Sequence, residues 1–165
     1  MVVWSSGCAS TLEAIARMKR RTISHEDFEP TTWVLYEIGR RHLASDYLLA
    51  VQSLQAISRQ VARFFQRYDI WITPTLAEPP LLLGSFEPTE EDPLMGLRRA
   101  AEFVPFTPIC NITGQPAMSV PIHWNKQGLP IGVHFVARFG EEATLFRLAS
   151  QIEAAKPWAC RKPTL

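Results

Sequence analysis

The spacing of apolar positions changes once along the chain, and the change separates two stretches of different character. Residues 10–66 carry apolar side chains at helical spacing. The segment "STLEAIARMKRR" puts Leu12, Ile15 and Ala16 on one face. It opens with Ser10 and Glu13 in capping-box spacing and ends in Lys19, Arg20 and Arg21, where cations favour a helix C-terminus. "TTWVLYEIGRR" predicts a second helix with Val34, Leu35 and Ile38 as its apolar side and a last turn weakened by Gly39. From Ser45 to Phe65, the positions Tyr47, Ala50, Val51, Leu54, Ile57, Val61 and Phe65 predict a long helix with a core stripe.

Beyond residue 66 the period shortens. "YDIWITPTLAEPP" is a short β-rich run stopped by prolines, which predicts a buried strand leading into a loop. Residues 77–97 show no period and predict a long surface loop, with one helical turn near Leu97 to Ala101. "PAMSVPIHWNKQGLPIGVHFVAR" predicts a hairpin around the polar turn Asn125 to Gly128. With Trp124 opposite Leu129, Met118, Val120, Ile122, Trp124, Leu129, Ile131, Val133 and Phe135 form a core face. The other face holds Ser119, Pro121, His123, Pro130, Gly132 and His134. It is small and rigid, so something is expected to pack closely on it. Pro121 and Pro130 donate nothing to a ladder, so pairing there is at an edge or interrupted. "EEATLFRLASQIEAA" predicts a closing helix with Leu145, Leu148, Ala149 and Ile152 inward and Lys156 and Pro157 at its end. The strands are expected near residues 69–73, 117–124 and 129–137.

Composition narrows the classes. A chain of 165 residues with 47% apolar and 20% charged residues and a mean hydropathy of −0.02 can bury a core. The formal net charge of +1 asks for neither nucleic acid nor a membrane surface. No apolar run is long enough to span a bilayer. Cys8, Cys110 and Cys160 lie far apart without a CxxC, which fits a reducing cytoplasm better than a disulfide framework. The start "MVVWSSGCAS" lacks the charged region and the apolar length of a lipoprotein signal.

The residues offer little self-sufficient chemistry. His123 and His134 share a hairpin face, but His134 falls opposite Ser119. About four residues of strand, roughly 13 Å, then separate the imidazoles, too far for one zinc ion. No serine lies in a GxSxG elbow. Ser5 and Ser6 before Gly7 read as a cap or linker. Cys110 beside Asn111 is the best-placed thiol, with no histidine evident as its base. No phosphate-binding glycine loop occurs. Glu90, Glu91 and Asp92 read as a solvated charge run.

Four ordered segments nonetheless resemble the C-terminal part of amidase signature enzymes. They are "FEPTTWVLYEIGRRHLASDYLLA", "YDIWITPTLAEPP", "PFTPICNITGQPAMSVPI" and "GLPIGVHFVARFGEEATLFRLASQIEAAKPW". The first is similar to the bacterial branch, which includes broad-specificity amidases and the hydrolase of the cyclic dimer of 6-aminohexanoate. The resemblance implies an α/β fold class: the C-terminal part of the amidase signature fold, a mixed β-sheet flanked by helices, within a single domain. It implies amide hydrolysis by a Ser–cis-Ser–Lys triad that the family carries in its N-terminal part, near a GGSS-type signature. No such signature occurs here, and Lys19, Lys126, Lys156 and Lys162 match none of the family's lysine contexts. The chain is therefore expected to be inactive alone, with no catalytic residue of its own and no cofactor or metal. The expected partners are the N-terminal catalytic part of the same fold and a small-molecule amide. A homodimer is allowed, and nucleic acid and membrane are not expected.

Carried over from the family, the substrate-pocket positions are Ala101, Val104 and Pro108. An acidic residue stands at the Val104 position in the amidotransferase branch, where it holds the substrate's amino group. Valine there implies a neutral or apolar amide; it is equally compatible with core packing. Asn111, Gly114 and Pro116 are expected to form a turn that sets the next strand. Two other readings compete: a non-catalytic interaction module derived from an amidase, and a split enzyme whose partner carries the triad.

Overall fold

The computed structural model describes residues 1–89 and 91–163. Helices α1 (Val2–Lys19), α2 (Pro30–Gly39) and α3 (Ala44–Phe64) precede strand β1 (Ile70–Pro74). Then come α4 (Met95–Phe103), α5 (Pro108–Thr113), the hairpin β2 (Ala117–Trp124) and β3 (Pro130–Ala137), and α6 (Glu142–Ala155). This mixture of a small sheet and flanking helices is the expected α/β class. The chain divides into two compact units, residues 1–55 with 83–100 and residues 56–82 with 101–165.

In the first unit α1 begins at Val2, so Ser10 and Glu13 lie inside the helix and form no capping box. Ser5, Ser6 and Gly7 are helical too, not a cap or linker. Ala9, Leu12 and Tyr36 make the buried centre, with Cys8, Ile23, Phe28 and Trp33 packed around them. The Tyr36 hydroxyl donates to Glu13 Oε1 at 2.7 Å, which satisfies its polar end within that centre. Leu35, as expected, and Tyr36 are the buried large side chains of α2, whereas Val34 and Ile38 are half-buried. Gly39 has a positive role: a Cβ there would lie 2.0 Å from the Ser5 carbonyl oxygen, so only glycine allows this approach of α1 and α2. The expected stripe of α3 is met in part: Ala50, Val51, Leu54, Ile57 and Val61 are half-buried and Phe65, just past the helix, is buried, whereas Tyr47 is exposed.

The second unit holds an antiparallel sheet in the order β1-β3-β2. The predicted hairpin register is right from Ala117 to Val120, including Ser119 opposite His134. It then slips by one residue, so that Trp124 pairs with Pro130 rather than Leu129. The irregularity falls between Val120 and His123, where Pro121 cannot donate to the ladder. The pattern of alternation cannot foresee an inserted residue.

Val120, Phe135, Ala137 and Leu145 form the buried core of this unit, where α6 lays Leu145, Leu148 and Ile152 against the hairpin. Val136 and His134, on the opposite face of β3, are buried as well. Close packing on the small face comes partly from the sheet itself. A Cβ on Gly132 would lie 2.5 Å from Ser119 Oγ and 2.6 Å from Thr75 Oγ1. At the end of α3, Phe64 stacks on Tyr68 at 4.7 Å between centroids and lies 5.8 Å from the Trp71 ring.

Candidate functional site

The three pocket positions expected from the sequence fall on one connection. Ala101 is exposed in the last turn of α4, Val104 is half-buried just beyond it, and Pro108 is exposed at the first position of α5. The Ala77 N–H donates to the Phe103 carbonyl at 3.0 Å and ties the loop after β1 to the end of α4. None of the three lines the cavities of about 360 and 170 Å³ in this unit. Residues 108–113 form a short helix where the sequence predicts only a turn around Asn111. Proline at N1 suits a helix start, and Gly114 ends it with φ 73°. The expected turn thus begins only at Gly114.

This helix brings Cys110 over the sheet. His134 Nε2 lies 4.0 Å from Cys110 Sγ, and His134 Nδ1 lies 3.0 Å from Thr73 Oγ1. A histidine does therefore stand beside the thiol, contrary to expectation. Spacing could not reveal it, because 24 residues and a strand pairing separate the two side chains. Next in the row, the Thr75 and Ser119 hydroxyls share a hydrogen bond of 2.6 Å across Gly132.

Burial sets the protonation of this row. It pushes the Cys110 thiol up from its usual range and holds His134 below the ordinary histidine value, so both groups favour their neutral forms at neutral pH. A thiolate–imidazolium pair is not what this environment stabilises. The row instead offers neutral hydroxyl, imidazole and thiol groups, which suit hydrogen bonding to an uncharged ligand.

The remaining candidates disperse. His123 is exposed and His134 is buried. Among the described residues no three His, Cys, Asp or Glu side chains come together as a metal site. Ser5 is fully buried; its Oγ contacts the Met1 carbonyl at 3.1 Å and His42 Nε2 at 3.0 Å. A serine enclosed in this way cannot reach a substrate, so the pair links α1 to the segment after α2. Glu90 lies outside the described residues. Glu91 is exposed, but Asp92 is not merely solvated, for it pairs with Arg98 and its N–H bonds the Thr89 hydroxyl.

Fold and polar row describe an α/β piece whose sheet carries a line of uncharged hydroxyl, imidazole and thiol side chains. The amidase family model matches residues 4–146, and the chain belongs to that family. Over 150 residues it is 37% identical to a putative amidase AmiC of Mycobacterium tuberculosis, covering 88% of this chain and 31% of that protein. It is 29% identical to the 6-aminohexanoate-cyclic-dimer hydrolase of Paenarthrobacter ureafaciens, covering 95% of this chain and 33% of that protein. The solved structure of a 6-aminohexanoate cyclic dimer hydrolase superposes with a TM-score of 0.88 at 27% identity, over 97% of this chain and 34% of that one. The chain spans about a third or less of the length of each of these relatives. No helix among the described residues is long and apolar enough to cross a membrane.

Proposed function

We infer that this chain supplies the carboxy-terminal part of one amidase domain, in a cytoplasmic hydrolase of neutral carboxylic amides. The observation that carries the reading is the match along 97% of the chain to only 34% of a cyclic-dimer hydrolase structure. The nucleophilic serine, the cis-serine and the lysine belong to the amino-terminal part of the fold, and this chain alone does not turn over substrate. Amide cleavage needs a nucleophile, a base and oxyanion donors held together. The neutral Thr73–His134–Cys110 row does not bring such a set together. Ala101, Val104 and Pro108 are the proposed pocket wall. Valine at position 104 presents no carboxylate to a substrate's amino group, which favours neutral amides.

Exposed apolar side chains support a missing partner part over a self-contained interaction module. Leu49 on α3 is 61% exposed and Ile72 on β1 is 58% exposed. A module evolved to stand alone would cover such residues. The test is the coding DNA immediately upstream of Met1. The reading expects an open frame there with the lysine context and a GGSS-type segment. A stop codon directly upstream, with no such region encoded nearby, would overturn it in favour of the module.

A further inference from the structure

Away from the pocket wall, the second unit has a cavity of about 360 Å³ lined by Ala62, Phe65, Gln66, Gln115, Arg138 and Phe139. Gln115 is only 8% exposed, and its carboxamide makes no hydrogen bond among the described residues. No described polar side-chain atom is both sealed from solvent and unpartnered, so the Gln115 amide opens onto the cavity it lines. A nearly buried amide is costly unless something in that space fills its donors and acceptor. Arg138 lines the same cavity and pairs with no carboxylate among the described residues. Phe65 is buried, whereas Phe139 is exposed at the rim. An adjoining cavity of about 170 Å³ shares Phe65 and Arg138 and adds Tyr68, Asp69, Glu141 and Thr144. There the Glu141 carboxylate already accepts the Thr144 hydroxyl at 3.1 Å.

We propose that the larger cavity binds a small carboxylate with an apolar or aromatic body. The guanidinium of Arg138 takes the carboxylate in the paired geometry that arginine favours. The Gln115 amide N–H donates to the same group, and Phe65 and Phe139 flank the hydrocarbon. Asp69 and Glu141 line the adjoining cavity that shares Arg138 and set the selectivity: they repel a second negative charge, so a monoanion is accepted and a dianion is not. Arg138 and Gln115 sit where β3 ends and β2 is about to begin. Gly132 and Thr75, beside the polar row, lie at the opposite end of β3. The carboxylate site is thus at the other end of β3 from the Thr75–Ser119 pair, and none of Ala101, Val104 and Pro108 lines it. Amide hydrolysis releases a carboxylate, so a product of the proposed reaction belongs to the class that binds here; the binding does not depend on that activity.

The test titrates the 165-residue chain with sodium benzoate at fixed ionic strength, read by amide and side-chain NMR shifts. Benzamide serves as the neutral isostere and phthalate as the dianion. The expected result is saturable shifts at the Gln115 side-chain amide and around Arg138, with benzamide and phthalate each about tenfold weaker or worse. Arg138→Gln, at an exposed position, should retain the native spectrum and lose benzoate binding by about tenfold or more. Gln115→Leu should weaken it too. Equal responses to benzoate and benzamide, shifts centred elsewhere, or undiminished binding by Arg138→Gln would each overturn the proposal.

Discussion

Cys110 and Cys160 occupy opposite environments, and their reactivity should separate. Cys160 is exposed, whereas burial raises Cys110 out of its usual range. Iodoacetamide at neutral pH should label Cys160 first and leave Cys110 and the similarly raised Cys8 behind, as mass mapping of the labelled peptides will show. His134 gives a second residue-scale prediction. Its folded value lies below the ordinary 6.5, so near pH 6 the unfolded chain holds more protons at this position than the folded chain does. Its contribution to stability is full above about pH 6.5 and falls as pH drops from there through the lower folded value. Urea midpoints measured between about pH 7.5 and 5 should fall more steeply for the wild type than for His134→Gln. Parallel curves would mean the imidazole titrates alike in both states. Val104 belongs to the proposed pocket wall; on that proposal, Val104→Asp in a protein that also carries the amino-terminal part should shift the kcat/KM ratio towards amides bearing a free amino group.

Elements show which physical rules a sequence discloses. The three strands appear within a residue or so of their expected positions, because alternation and proline punctuation are local signals. The closing helix α6 follows its i, i+3, i+4, i+7 apolar face for the same reason. The interruption at Pro121 is legible from the proline itself, and α5 is marked locally by Pro108 at its start and Gly114 at its end, although the direction of the register slip is not. The His134–Cys110 contact is not legible in the sequence, since it joins side chains 24 residues apart. Gly39 escapes for a similar cause: propensity treats it as a weak helical residue, while its place against Ser5 makes it a contact. Gly39→Ala should therefore destabilise the first unit by about 1–3 kcal/mol, where propensity alone would make alanine stabilising. Chemical denaturation decides the sign. Phe135→Ala, in the core under α6, should cost about 3–5 kcal/mol by the same measurement.

Across the whole molecule, the α3 stripe is the instructive case. Its spacing reads as core, yet Ala50, Val51, Leu54, Ile57 and Val61 are only half-buried in this chain and Tyr47 is exposed. A pattern can be true of a larger fold and unsatisfied in one part of it, and the coverage of 34% of the cyclic-dimer hydrolase structure gives the scale of what such a fold contains. The candidate pocket wall came from family likeness rather than from any physical signal at Ala101, Val104 or Pro108, since two of them are exposed and none lines the cavities of about 360 and 170 Å³. The central claim is that this chain furnishes structure and pocket wall while the acyl chemistry lies in the amino-terminal part. The most direct test compares hydrolysis of a simple neutral amide by the 165-residue chain with that by the same chain continued into an upstream amidase region. The account predicts turnover only by the longer protein, abolished by a serine-directed covalent inhibitor. Turnover by the 165-residue chain itself, lost on treatment with the same inhibitor, would contradict it.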